Sequence, residues 1–269
     1  MINKNIQKIF WEERSQETRN DTRYNIRFNR YIHDLYTKLS DIASAYLSRS
    51  TNGKKKKILK TDLRDAVIDT NRNMLRYLQK KFPYSVLYGL DISENLVQKA
   101  KSLYPNLIAN GFDLRKWADE NYRDFSFIGD YSTLDHIPQK ELDKVFEFYS
   151  AALSADGIIL IIYYRKSLFL NLLDKFYLKF KNKSFYEEAE ENGQFYFDDE
   201  KINLILRRNN FIIVKEYFIN ILSLIPWIFW RYLPKFVFSF LVNLELSGGK
   251  IFKYNAGMRS LILMKKNGL

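Results

Sequence analysis

"ILKTDLRDAV" (Ile58–Val67) begins as an apolar strand and turns to charge within a few residues. "YGLDIS" (Tyr88–Ser93) repeats the form, an apolar run closed by an aspartate. Two such units with a helix between them frame a nucleotide pocket in doubly wound sheets, where the first loop is normally rich in glycine. Here Lys60, Thr61, Asp62 and Arg64 stand in that loop, and no glycine occurs between Gly53 and Gly89. Outward from this stretch, further apolar runs lie at Leu107–Ala109, Phe125–Ile128, Ile158–Tyr163, Phe211–Val214 and Met258–Met264. Helical patterns separate them at Asn71–Lys81, Glu94–Leu103, Lys140–Leu153 and Glu200–Arg208. Strands apolar on both faces, alternating with helices, predict an α/β fold with a mostly parallel sheet covered on both sides.

The chain has 269 residues, long enough for a large core, and its 46% hydrophobic and 16% aromatic content excludes disorder. It has no cysteine, which removes disulfides, thiolate metal ligands and a cysteine nucleophile. With two histidines, no metal site is expected. The formal charge of +12 fits an anionic partner, or simply a lysine-rich composition. "MINKNIQKIFWEERSQETRND" is too charged for a signal peptide, so a cytoplasmic location is expected.

Residues 1–52 are expected to form an N-terminal helical cap, with Ile26, Tyr31, Leu35, Leu39, Ile42 and Tyr46 at helical spacing. Residues 53–269 would be the main domain, carrying two insertions at 166–197 and 218–247 that form a lid. "FINILSLIPWIFWRYLPKFVFSFLVN" (218–243) is broken by Pro226, Arg231, Pro234 and Lys235, too often for a spanning helix. It reads as a lid over an apolar acceptor with Trp227 and Trp230 as contacts, as a buried cap, or as a peripheral contact with the inner face of a membrane.

Ligands of such sheets sit beyond the carboxyl ends of the strands. The first four strand tips carry Asp62, Asp91, Asp113 and Asp130. Asp91, about 20–30 residues beyond the first strand, is placed to accept hydrogen bonds from ribose hydroxyls; as an alternative it caps the helix opened by "DISENL". Asp113 in "NGFDLRKW" could accept from an exocyclic amine with Phe112 or Leu114 against the base, or it is a turn aspartate. Beyond the fourth strand, "YSTLDHIP" offers Ser132, Asp135 and His136. Tyr163, Tyr164 and Arg165 follow the fifth strand and are expected to face the same mouth, Arg165 as a binder of an anionic acceptor group.

The run from "VLYGLDISENLVQKAKSLYPNLIANGFDLRKW" through "FSFIGDYSTLDHIPQKELDKVFEFYSAALSADGIILII" resembles the core of class I S-adenosylmethionine-dependent methyltransferases. The resemblance covers Lys57 to Tyr163, roughly two fifths of the chain. It implies a Rossmann-like sheet of seven strands with the last antiparallel, and S-adenosyl-L-methionine as cofactor. Asp91 matches the ribose-binding acid, with Ile92 beside it, Asp113 the adenine-contacting acid, and Ser154–Gly157 the turn before the fifth strand. Where the family carries spaced glycines, the Lys-Thr-Asp segment with "STLDH" resembles a bacterial subgroup. There Lys60, Thr61 and Asp62, with Ser132, would meet the amino-acid end of the cofactor.

The expected activity is methylation, at oxygen, of a small-molecule or lipid- or glycan-linked acceptor. His136 is the candidate general base and Asp135 its orienting group or an acceptor ligand; as an alternative both start the next helix. A nucleic-acid (RNA) methyltransferase is a second reading, although no appended RNA-binding signature accompanies the charge. A non-catalytic methyltransferase-like binding protein is a third, motivated by the missing glycine loop. Oligomeric state is not legible in the sequence.

Overall fold

A computed structural model describes residues 12, 23–47, 55–67, 73–116, 122–220, 235–248 and 253–266. These form a seven-stranded sheet: β1 (Lys57–Thr61), β2 (Val86–Asp91), β3 (Ile108–Gly111), β4 (Phe125–Tyr131), β5 (Leu153–Tyr164), β6 (Phe211–Ile219) and β7 (Met258–Lys265). The strand order is β3-β2-β1-β4-β5-β7-β6. β1 to β5 pair in parallel, and β7 runs antiparallel between β5 and β6. The order reverses between β1 and β4, which defines the switch point.

Alternation along the strands divides the core in two. On β5, Ile159, Ile161 and Tyr163 enter one cluster, while Ile158, Leu160 and Ile162 enter the other. The first face is covered by α5 (Leu142–Ala152) and α8 (Asp199–Arg208), through Val145, Phe146, Tyr149, Ile202 and Leu206. The second is covered by α1 (Arg23–Ser44), through Tyr31, Leu35 and Leu39, and by α9 (Lys235–Gly248), through Phe238 and Val242. Strands apolar on both sides are thus the sequence's answer to having helices on both sides.

Several expected boundaries move. Ser154–Gly157, read as a turn, is drawn into β5, because Leu153 pairs with Phe125 across a register shift. β6 runs on to Ile219, so Phe218 and Ile219 belong to the sheet. Residues 166–197 contain two helices, α6 (Leu168–Lys181) and α7 (Phe185–Glu191). Between β1 and β2 lie a short turn of helix, α2 (Arg64–Val67), and α3 (Met74–Lys81); α4 (Glu94–Leu103) follows β2. Trp227 and Trp230 lie outside the described residues. Among the described residues, no helix is long and apolar enough to cross a membrane.

Candidate active site at the strand tips

The β1 tip is built from charge held in place by backbone. Lys60 is 1% exposed, and its Nζ lies 2.7 Å from Asp65 Oδ1 and also donates to the Asp62 carbonyl. Burial alone would depress the Lys60 pKa, but Asp65, Asp62 and Asp91 outweigh it and raise it. Asp62 takes a left-handed backbone, φ 62°, steadied by its own Oδ1 accepting from Arg64 N at 2.9 Å. Thr61 Oγ1 meets Thr133 Oγ1 at 2.7 Å, which ties the β1 tip to the β4 loop.

Asp91 closes β2 and is almost wholly buried. Its Oδ2 accepts from Leu63 N at 2.8 Å and its Oδ1 from Ser93 N at 2.9 Å. Ser93, not Asp91, caps α4 by accepting from Leu96 N at 3.3 Å. The Asp91 carboxyl is pushed up to about 7 by burial and then by the charge of Asp62. Each oxygen spends one lone pair on an amide, so two acceptor positions remain. Half-buried Ile92 sits between these anchors. Glu12 reaches the same corner, where Ser93 Oγ donates to it at 2.9 Å and Glu94 N at 2.8 Å.

Asp113 is half-buried and tightly held. Arg115 donates to Oδ1 from its backbone N (3.0 Å) and Nε (2.7 Å), and to Oδ2 from Nη2 (2.8 Å). The guanidinium also reaches Glu141 at 2.8 Å. Burial would raise the Asp113 pKa, and Arg115 overrides it to leave the carboxyl ionised. Phe112 stacks on Tyr122 (centroids 6.1 Å, planes 11° apart), whereas Leu114 is buried in the core. Of the two, Phe112 is therefore the residue with a partly open surface.

On the β4 side, Asp130 is fully buried, accepting from Thr133 N at 2.8 Å and Tyr149 Oη at 2.6 Å. Burial pushes its pKa to about 6, and the Asp62 charge adds to the rise against the pull of these bonds. Asp130 and Thr133 stand at the fourth strand tip as the sequence placed them, whereas Tyr149 and Asp65 complete the cluster without having been singled out in the sequence. A helical tyrosine about two turns into α5 gives no local sign that its hydroxyl meets a strand-tip acid.

Two expectations on this side need correction. Asp135 does not orient His136: its oxygens accept from Ser132 Oγ (2.6 Å) and Tyr164 N (2.6 Å), and burial pushes its carboxyl well up. The imidazole is instead held through Nδ1, 2.9 Å from the Gly193 carbonyl. Tyr163 and Arg165 do not face the mouth. Strand alternation turns Tyr163 into the core, where its hydroxyl donates to Asp199 at 3.2 Å and accepts from Arg259 Nη1 at 3.1 Å. Arg165 pairs with Asp199 at 2.7 Å and lies over the Phe218 ring at 5.1 Å. Tyr164 does lie beside His136's anchor, because its ring packs on Tyr196 at 5.5 Å, three residues beyond Gly193. Tyr196 in turn contacts Phe185 (5.5 Å) and Tyr186 (5.4 Å) of α7. No group of His, Cys, Asp or Glu suited to a metal ion occurs among the described residues.

This sheet order, with β7 antiparallel, is that of the Rossmann-like methyltransferases, and solved structures agree. Magnesium protoporphyrin IX methyltransferase from Synechocystis PCC 6803, with bound S-adenosylhomocysteine, superposes with TM-score 0.58 at 14% identity, over 98% of this chain and 100% of that one. An S-adenosylmethionine-dependent methyltransferase from Clostridium acetobutylicum ATCC 824 gives 0.53 at 10% identity, over 87% and 92%. Phosphoethanolamine N-methyltransferase 2 of Haemonchus contortus gives 0.52 at 16% identity, over 86% of this chain and 53% of that one. No protein-family model matches the sequence, and no curated protein matches it. The chain has the fold of class I S-adenosylmethionine-dependent methyltransferases. The β1 tip carries Lys60, Thr61 and Asp62, and no glycine occurs between Gly53 and Gly89.

Proposed function

We propose that the protein is an S-adenosyl-L-methionine-dependent methyltransferase that methylates an oxygen of a small-molecule or lipid- or glycan-linked acceptor. The observation that carries this reading is the group of acids at the switch point of a methyltransferase fold. Asp62 raises the pKa of both Asp91 and Asp130. Lys60 offsets part of this charge, and a further cation or hydrogen-bond donors would offset more. A ligand with ribose hydroxyls and a positive charge fits that chemistry. Asp91 would hold the ribose through its two remaining acceptor positions, and Asp113 Oδ2, which accepts one bond, would take the adenine amine with Phe112 alongside. Thr61, Asp62 and Ser132, on the Lys60–Asp65 pair, would face the amino-acid end.

Bound S-adenosylmethionine supplies an electrophilic methyl group on a sulfonium. The chain's own part is to place an acceptor in line with it and to remove a proton. A carbonyl can only accept, so the bond to Gly193 places the proton on Nδ1 of His136. The neutral ring then carries its lone pair on Nε2, the form a general base requires. Tyr164, Tyr196, Phe185 and Tyr186 supply apolar surface beside it for an acceptor with a hydrophobic body. Trp227 and Trp230 remain proposed contacts on the same grounds as in the sequence.

Calorimetric titration with S-adenosylhomocysteine tests the cofactor half. Wild type is expected to bind, and Asp91→Ala to bind at least about tenfold more weakly, as loss of a hydrogen-bonded charged group predicts. Native affinity in a folded Asp91→Ala would refute the site. Once an acceptor is in hand, His136→Ala should lower turnover by about a hundredfold or more with cofactor affinity unchanged.

A further inference from the structure

α6 has the composition of a core helix and the placement of a surface one. Its sequence, "LFLNLLDKFYLKFK", is mostly apolar, yet none of its residues is buried. Leu168, Leu172, Phe176 and Phe180 recur every four residues and so share one side of the helix. Phe176 is 61% exposed and Phe180 80%. Contiguous exposure of this kind on a helix marks an interaction surface rather than ordinary surface scatter.

The charges around the stripe say what covers it. Lys175 and Lys179 are exposed and flank the apolar side. The acids of α7 meet the other side of α6: Glu188 accepts from Tyr177 Oη at 2.6 Å and lies 3.8 Å from Lys181. Glu191 pairs with Lys183, just past the helix end. The stripe thus has Lys175 and Lys179 beside it, while Asp174, Glu187, Glu188 and Glu191 are engaged by Ser184, Phe185 N, Tyr177 and Lys183. At the N-terminal end, Leu168 N donates to the Tyr254 carbonyl at 2.9 Å, and the Tyr254 ring is 68% exposed. An apolar stripe with lysines beside it and a tyrosine at its end has the composition of an interfacial helix.

We infer that α6 docks the protein on a bilayer surface bearing anionic phospholipid headgroups, with Leu168, Leu172, Phe176 and Phe180 entering the acyl boundary and Lys175 and Lys179 at the phosphates. This surface is separate from 218–243, whose described part places Phe218 and Ile219 in β6 and Phe238 and Val242 in the sheet's cover. α6 starts four residues after the end of β5, and α7 packs on the side of α6 away from the stripe, through Tyr177 and Phe185. The charge of the whole chain, +12, favours the same surface.

Flotation of the full chain with phosphatidylcholine vesicles, with and without phosphatidylglycerol, tests this without cofactor or acceptor. Its outcome is therefore independent of whether methyl transfer occurs. Wild type is expected to float with the anionic vesicles and to be released by salt. Phe176→Ser/Phe180→Ser should weaken partitioning by at least about tenfold, from the apolar area withdrawn. Lys175→Glu/Lys179→Glu should weaken it by at least about fivefold, on anionic vesicles alone. Should the phenylalanine pair lower the melting temperature, Leu172→Gln takes its place with the same expected direction. The inference is overturned if wild type stays unbound, or if the apolar variants float like wild type. It is equally overturned if sedimentation shows a dimer that those variants split, which would make the stripe a contact between copies.

Discussion

The two halves of the sheet treat charge in opposite ways. At the tips of β1, β2 and β4, acids crowd together, and Asp91 and Asp130 have pKa values raised to about 7 and about 6. Across β5, β6 and β7, each arginine is matched. Arg259 pairs with Glu216 through Nε at 3.1 Å and lies 3.6 Å from Asp199, while Arg165 takes Asp199 at 2.7 Å. Phe218 lies beneath both guanidinium groups, at 5.1 and 5.8 Å. In the second half each guanidinium already has a carboxylate. The first carries an unspent electrostatic debt, which is why it is the candidate site even though both regions are rich in buried charge.

The largest effect expected from breaking this contrast is on stability. Arg259→Ala should destabilise the fold by about 3–5 kcal/mol in denaturant titration, because it strands Glu216 and leaves Asp199 to Arg165. Its affinity for S-adenosylhomocysteine, measured where it is folded, should match wild type. A ligand-affinity defect there would erase the distinction between the halves. Asp91→Asn should act chiefly on the ligand: affinity falls by at least about tenfold, with a smaller stability loss of about 1–3 kcal/mol because Nδ2 cannot accept from Leu63 N or Ser93 N.

A pH titration sharpens the same point. Asp91 has a folded-state pKa of about 7, against about 3.9 for an unperturbed aspartate. Between these values the folded protein keeps a proton that the unfolded chain gives up, so the Asp91 contribution to stability falls as pH rises through that window. Ligand affinity runs the other way, since accepting ribose hydroxyls and meeting a positive charge both favour the ionised carboxylate. S-adenosylhomocysteine should therefore bind more tightly from pH 6 to 8, levelling above about 7. Asp91→Asn should flatten that rise. The smallest effect is expected from Thr61→Val, which removes the Thr61–Thr133 hydroxyl contact and should cost about 1 kcal/mol in stability.

The sequence made the fold readable because period and punctuation agreed. Double-faced apolar runs such as "IILIIYY" can be satisfied only between two helical layers, and Asp91 falls where β2 must end. The positions of Asp91, Asp113 and Thr61 at or just past strand ends could be read because local pattern fixes where a strand stops. What could not be read depends on which way a side chain turns after the strand ends. Tyr163 and Arg165 sit one residue either side of Tyr164, and alternation sends them into the network with Asp199 and Arg259, more than thirty residues away in sequence. The partner of His136 is a backbone carbonyl in the turn after α7, which no side-chain motif announces.

Asp62 carries a consequence for ancestry. Its backbone already adopts the left-handed conformation, φ 62°, that glycine enters without steric cost. In the codon table, aspartate and glycine differ there by a single second-position base. One such step would set a single glycine at position 62 with the main chain unmoved, exchanging a charge that attracts a ligand for room beside it.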